Sequence, residues 1–280
     1  MDCDGPNGRD NAVARLFKQL LLFDDKFSST YQSEQADAGQ FTVLLRVYGY
    51  NGQPNDTDVT LAIYSSPGLD EDPCLPSSAA QWDGTDAWPV DAITVNGMGT
   101  GGMGAGGGCG AAGPGAEGYD VDDPKYLSQQ GYVTEGTLVV DLPQSALVFS
   151  SGNSATEIKL VGGFLTADLV EEANGWAMRN GVLTGRWRVA DIFGILPTVE
   201  DGGTPICKDN ALFGPVKSLL CNYPDITSSV VGAAAPCDAL SFGMGFEAEA
   251  AQLGFVIEAG TVQPNPCSPD QDPSNDTCGM

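Results

Sequence analysis

The chain has 280 residues, with 12 basic and 37 acidic side chains, a formal charge of −25, and no histidine. A polyanion adds repulsion to a phosphate backbone, so no nucleic-acid partner is expected. Without histidine, Ser-His-Asp and Cys-His catalysis and every imidazole-ligated zinc or iron site are excluded within the chain.

An apolar fraction of 42% is enough for one core. The net charge comes from scarce Lys and Arg, and Asp (26) outnumbers Glu (11). Many aspartates fall in turn-like pairs such as Asp56/Asp58 and Asp70/Asp72, which implies a loop-rich surface. No apolar run is long enough to span a membrane, about 18 residues. No basic-then-apolar leader follows Met1; with disulfides expected, Met1 is expected to start a processed or truncated form, with a lipid anchor on a cysteine upstream of Met1 left open.

Residues 1–9 read as the end of a linker. Asp10 is the expected cap of a helix reaching Leu22, because Val13, Leu16, Phe17 and Leu20 share one helical face. Residues 41–50 and 58–65 alternate as a hairpin around the turn-forming NGQPNDT. A short strand is expected at Ala92–Val95. It leads into the 97–118 stretch, which carries 12 glycines in 22 residues and reads as a flexible insertion. Its GxGxxG window lacks a helix start and does not imply a nucleotide site.

Thr137–Asp141 and Ala146–Phe149 read as a second hairpin. Glu157–Val161 and Phe164–Val170 flank a turn or bulge at Gly162-Gly163. Trp176–Met178 and Val182–Trp187 read as a third hairpin across Asn180-Gly181, the latter strand running into a helix that Pro197 stops. A further helix is expected at Pro215–Asn222 with Gly214 as its cap, and strands at Leu240–Phe246 and Phe255–Glu258.

The expected fold is mainly β: an antiparallel, β-sandwich-like (jelly-roll-like) domain over 10–262, with about three packed helices. Residues 263–280 form a disulfide-tied tail.

The eight cysteines, Cys3, Cys74, Cys109, Cys207, Cys221, Cys237, Cys267 and Cys278, are even in number and contain no CxxC. Zinc ligation is disfavoured, and disulfides in an oxidising compartment are expected. Spacing suggests Cys267–Cys278 and Cys74–Cys109, with two of Cys207, Cys221 and Cys237 joined and the third paired at a distance, for example with Cys3.

Three chemistries suit the remaining residues. Tyr48, Tyr50, Trp82 and Trp88, with Trp176 and Trp187, offer flat faces for stacking carbohydrate. Asp2, Asp4 and Asp10, and separately Asp56 and Asp58, form oxygen-rich loops that suit calcium, although neither has the EF-hand spacing. The acid pairs Glu171/Glu172, Glu200/Asp201 and Glu247/Glu249 are all that a two-carboxylate glycosidase would require.

The stretches from Asp4 to Ala12, Ile206 to Asp209, Val216 to Cys221 and Pro236 to Gly243 resemble uncharacterised secreted proteins and lipoproteins of myxobacteria and related high-GC bacteria. The resemblance implies a cell-envelope location and no particular chemistry. The functional expectation is a non-enzymatic binding or surface-structural protein that is extracellular, periplasmic or on the outer membrane, with a carbohydrate or surface-protein partner. A carboxylate-based carbohydrate-active enzyme and a calcium-dependent adhesion or carbohydrate-binding module are the alternatives.

Overall fold

The structure, a computed structural model, describes residues 11–20, 29–72, 79–97, 119–151, 154–201, 203–229, 237–258 and 264–279. Asp2, Asp4, Asp10, Cys3, Cys74, Cys109 and all but Gly97 of the glycine-rich insertion lie outside them. Among the described residues there are four α-helices: α1 Ala12–Leu20, α2 Ser29–Asp37, α3 Val189–Ile195 and α4 Phe213–Asn222. The first five strands are β1 Thr42–Tyr48, β2 Asp56–Ser66, β3 Ala87–Asp91, β4 Tyr126–Thr134 and β5 Thr137–Ser151. Then come β6 Ser154–Glu172, β7 Gly175–Arg188, β8 Glu200–Asp201, β9 Thr204–Pro205, β10 Ala239–Ala248 and β11 Gln252–Ile257.

Seven strands form one curled antiparallel sheet in the order β1-β2-β4-β5-β6-β7-β10. The mainly β, antiparallel, disulfide-stabilised fold read from the sequence is present. The inner face gathers Val59, Leu61 and Ile63 of β2, Leu138 and Val140 of β5, Leu165 of β6, and Leu240 of β10. Leu16 of α1, Phe193 of α3 and Leu220 of α4 pack into the same core. Alternation sends Ala62 and Tyr64 of β2 to the outer face, where β3 and β11, a parallel pair, cover them with Trp88, Val90 and Val256. Strand β2 is therefore apolar on both faces, which is why its second face carries a tyrosine.

The local readings hold in part. Helix α1 forms, and its cap is Asn11, whose Oδ1 accepts the Ala14 N–H at 3.0 Å. The α1 N-terminus also docks on β10, where the Ala12 N–H donates to Ser241 Oγ at 3.1 Å. Helix α2 has no apolar stripe (STYQSEQAD) and so gave no periodic signal. Residues Ala92–Thr94 form a 3-10 turn, and the strand lies just before it as β3. Helix α4 starts at Phe213, two residues before the expected Pro215, with Leu212 at its cap position.

Two expected hairpins are instead continuous strands. Residues 137–149 lie within β5, and its recorded pairs with β4 end at Val140, so Pro143 interrupts no ladder on that side. Residues 176–187 lie within β7, and Asn180-Gly181 is a bulge: Asn180 has φ 52° and the β6 register slips between Thr166 and Asp168. Gly162-Gly163 in β6 is likewise a bulge, with Gly162 at φ 56°. Such extra residues bend a long strand and give the sheet its curl. A Cβ on Gly163 would lie 2.0 Å from the Thr184 carbonyl oxygen, so nothing larger than glycine fits. Gly163→Ala should lower stability in urea by roughly 1–3 kcal/mol. Gly194→Ala in α3, where nothing lies within 4 Å, should leave stability equal or higher.

The cysteine pairing differs from the one spacing suggested. Cys207 is bonded to Cys267 and Cys221 to Cys278, so the two tail cysteines do not pair with each other. Cys207 and Cys221 do not pair within their own group, and Cys237 is also disulfide-bonded. The tail is further held by the Lys208 N–H on the Gln271 carbonyl at 2.9 Å and by Lys217 on Asp276 at 2.6 Å. Its 3-10 turn at Pro273–Asn275 packs on α3. The tail thus closes one end of the sheet's core. Replacing Cys221 and Cys278 together by Ala should cost about 2–5 kcal/mol in chemical denaturation. A digest of unreduced protein should yield peptides joined 207–267 and 221–278, and a 267–278 peptide would contradict the structure.

Glu157 of β6 braces β4 across the sheet. Its side chain is 11% exposed, accepts from the Tyr126 hydroxyl, and meets Lys125 at 3.0 Å and Lys159 at 3.2 Å. Burial alone would raise its pKa, but the Tyr126 hydroxyl and the two ammonium groups outweigh burial and hold it below the ordinary 4.5. A depressed folded pKa gives stability that is present above the unfolded value and is lost as pH falls through the folded one. Glu157→Gln should therefore cost about 1–2 kcal/mol at pH 7. Urea titrations should show the variant and the parent converging as the pH drops below 4.5.

Candidate functional site: a cavity between the sheet's free edges

Among the described residues, strands β1 and β10 end the sheet and pair with no further strand of it. Between them lies a cavity of about 1290 Å³. Its walls come from the inner face: Val43, Leu45 and Val47 of β1, Leu165 and Leu169 of β6, Met178 and Leu183 of β7, and Met244 and Phe246 of β10. Helices α1, α3 and α4 pack on the same inner face through Leu16, Phe193 and Leu220. Among the described residues, the buried polar side chains Ser65, Ser66, Asp72, Asp86, Asp91, Thr94, Ser128 and Ser145 all sit elsewhere. These apolar wall residues offer dispersion and methionine plasticity but no side-chain hydrogen-bonding groups.

The mouth is aromatic and charged. Tyr50 meets Trp176 edge-on at 5.1 Å, and Trp82 lies against Trp88 at 5.5 Å. Trp82 has φ 54°, a region L side chains rarely adopt. It is held there by the buried Asp86 carboxylate, which accepts the Trp82 N–H at 2.7 Å and the Gln81 N–H at 3.0 Å. Asp37, Arg46, Asp122, Glu247 and Glu249 also line the mouth. Arg46 pairs with Asp122 at 2.6 Å and lies 4.5 Å over the Tyr48 ring. Burial would lower the Arg46 pKa, but Asp122 and Tyr48 more than offset it.

A smaller recess of about 210 Å³ adjoins the mouth beside Trp82, Asn174 and Ala250. There Arg179 bridges Glu172 at 2.6 Å and Glu249 at 2.8 Å, and donates to the Ala248 carbonyl at 3.2 Å. The Glu249 hydrogen bond and charge raise the Arg179 pKa further, so the guanidinium stays charged. Burial, with Asp56 and Glu171 nearby, raises the Tyr50 pKa, so the Tyr50 hydroxyl is neutral and donates to the Gln53 carbonyl at 3.0 Å.

Of the aromatic residues read as a sugar platform, Tyr50, Trp82, Trp88 and Trp176 reach this cavity. Tyr48 does not. It belongs to the outer cluster, with its hydroxyl 3.2 Å from that of Tyr64. Residues two apart share a face only within a strand, and Gly49, at φ 78°, ends β1 and turns Tyr50 to the other side. Trp187 is buried in the main core against Phe17, 6.4 Å between rings. Trp88, only 1% exposed, forms part of the mouth's floor rather than an open platform.

Asp56 is spent on its own turn. Its carboxylate accepts the Asn51 N–H at 2.8 Å and the Asp58 N–H at 3.2 Å. Among the described residues, no group of three or more acidic or cysteine side chains gathers at a point that would hold a metal ion. Glu247 and Glu249 do not share a strand face, because β10 bulges between Phe246 and Ala248 and ends before Glu249. Glu172 and Glu249 meet through Arg179, a contact that spacing in the sequence did not reveal.

Fold and site together define a β-rich protein with an apolar cavity between the unpaired edges of a curled sheet. No known protein-family model, curated protein or solved structure matches the chain.

Proposed function

We propose that the protein is a non-enzymatic binding protein of the bacterial envelope or exterior, and that it takes an elongated apolar ligand into the cavity between β1 and β10. The cavity's walls carry the reading. A sugar ring pushed among Leu165, Leu169, Met178 and Met244 would bury hydroxyls with no partner, at a cost of about 1–3 kcal/mol each. An alkyl chain there gains ~0.8 kcal/mol per buried CH₂. Carbohydrate is thereby restricted to the aromatic mouth. The disulfides at Cys207–Cys267 and Cys221–Cys278 suit an oxidising compartment, which supports a location outside the cytosol.

Titration with the solvatochromic dye Nile red tests the reading. The expected result is a blue-shifted, enhanced emission that saturates at one dye per protein. Met244→Lys, which puts an ammonium into the cavity from the half-buried edge strand, should weaken binding by about ten-fold or more while circular dichroism stays unchanged. Phe164→Ser, on the exposed outer face at 52% exposure, should leave binding unaltered. Binding that does not saturate, or that ignores Met244→Lys and follows Phe164→Ser, would reject the cavity as the site.

A further inference from the structure

We infer that the occupant of the cavity is an extended segment of another polypeptide, with apolar side chains at alternate positions and basic flanks, which enters as an eighth strand between β1 and β10. This rests on the proposed binding function and names the class of its ligand. Each neighbouring pair of the seven strands is antiparallel, so β1 and β10, the first and the seventh, run the same way. Those two could pair directly only as parallel strands. One strand laid between them in the opposite direction would be antiparallel to both, and eight strands are enough to close a sheet around a side-chain-filled interior.

The lining places the space alongside those two edges. A cavity lying over one face of a strand would touch every second residue. Here residues 42–47 of β1 and 244–248 of β10 line it without a gap. Consecutive lining of this kind lays open the backbone of an edge strand, and among the described residues neither edge has a further partner strand in the sheet. Nearer the start of β10, Asn11 donates to the Gly243 carbonyl, so the open length of that edge begins at Met244. An alkyl chain would dry the edge N–H and C=O groups without pairing them. A strand pairs them and sends alternate side chains onto Leu165, Leu169, Met178 and Leu183. Charge selects the flanks. The lining carries Asp37, Asp122, Glu247 and Glu249 against Arg46, which Asp122 already pairs, on a chain of formal charge −25.

The test uses three acetylated and amidated peptides on the full chain: KKVTVTVKK, the same peptide N-methylated at both threonines, and KKVVVTTKK, which keeps the composition and charge but loses the alternation. Calorimetry reads affinity, and amide hydrogen exchange reads the edges. The first peptide should displace Nile red, bind about ten-fold tighter than either control, and slow exchange at the outward amides of 42–48 and 244–248. General attraction to the polyanion would treat all three alike. Equal binding of the three, or binding of none while Nile red still saturates, would overturn the strand inference and leave the binding function standing. Slow exchange of those outward amides before any peptide is added would mean that this chain or a second copy already fills the place, and would also overturn it. Failure of both Nile red and the peptides to bind would remove the binding function, and the inference with it.

Discussion

The inner face of the seven-stranded sheet must be kept from water. It carries leucine, valine and isoleucine from most of its strands, and a curled antiparallel sheet can dry such a face only by closing or by recruiting other elements. Among the described residues, the edge strands β1 and β10 do not pair with each other. At one end α1, α3 and α4 fill the interior, and the Cys207–Cys267 and Cys221–Cys278 bridges bind the tail beside them. Among the described residues, the space between β1 and β10 is left as the cavity.

The curl depends on a few glycines. The bulges at Gly162-Gly163 and Asn180-Gly181 let β6 and β7 run long and bend, bringing β10 round to face β1. At Gly181 a Cβ would sit 2.6 Å from the Phe246 ring, so the same glycine that permits the bend also sets where a cavity-lining aromatic rests. The shape of the site and the backbone chemistry of the sheet are therefore one problem. The mouth shows the same economy: the β3 region supplies Trp88, and Asp86 before it locks Trp82.

Much of this was legible in the residue pattern. Alternation placed β1, β2 and β10, and helical spacing placed α1 on an apolar core. The continuity of β5 and β7 was not legible, because Leu-Pro-Gln-Ser and Asn-Gly have the composition of turns, and only pairing with β6 shows that they bend rather than reverse the chain. Helix α2 was silent for want of an apolar stripe. The tail bridges could not be deduced, since pairing depends on where α4 lies. Most of the aromatic mouth was visible as a set of tryptophans and tyrosines, but its union with Met178 and Met244 was not. Those residues become neighbours only when the sheet curls.

The central claim is that an apolar chain occupies the space between β1 and β10. Methyl-resolved NMR of methionine-labelled protein, titrated with dodecanol, tests it most directly. Of the six methionines, the signals of Met178 and Met244 should move together and stop at one equivalent. If they stay in place, or move no more than the other methionine signals, the cavity is not where the chain goes and the account fails.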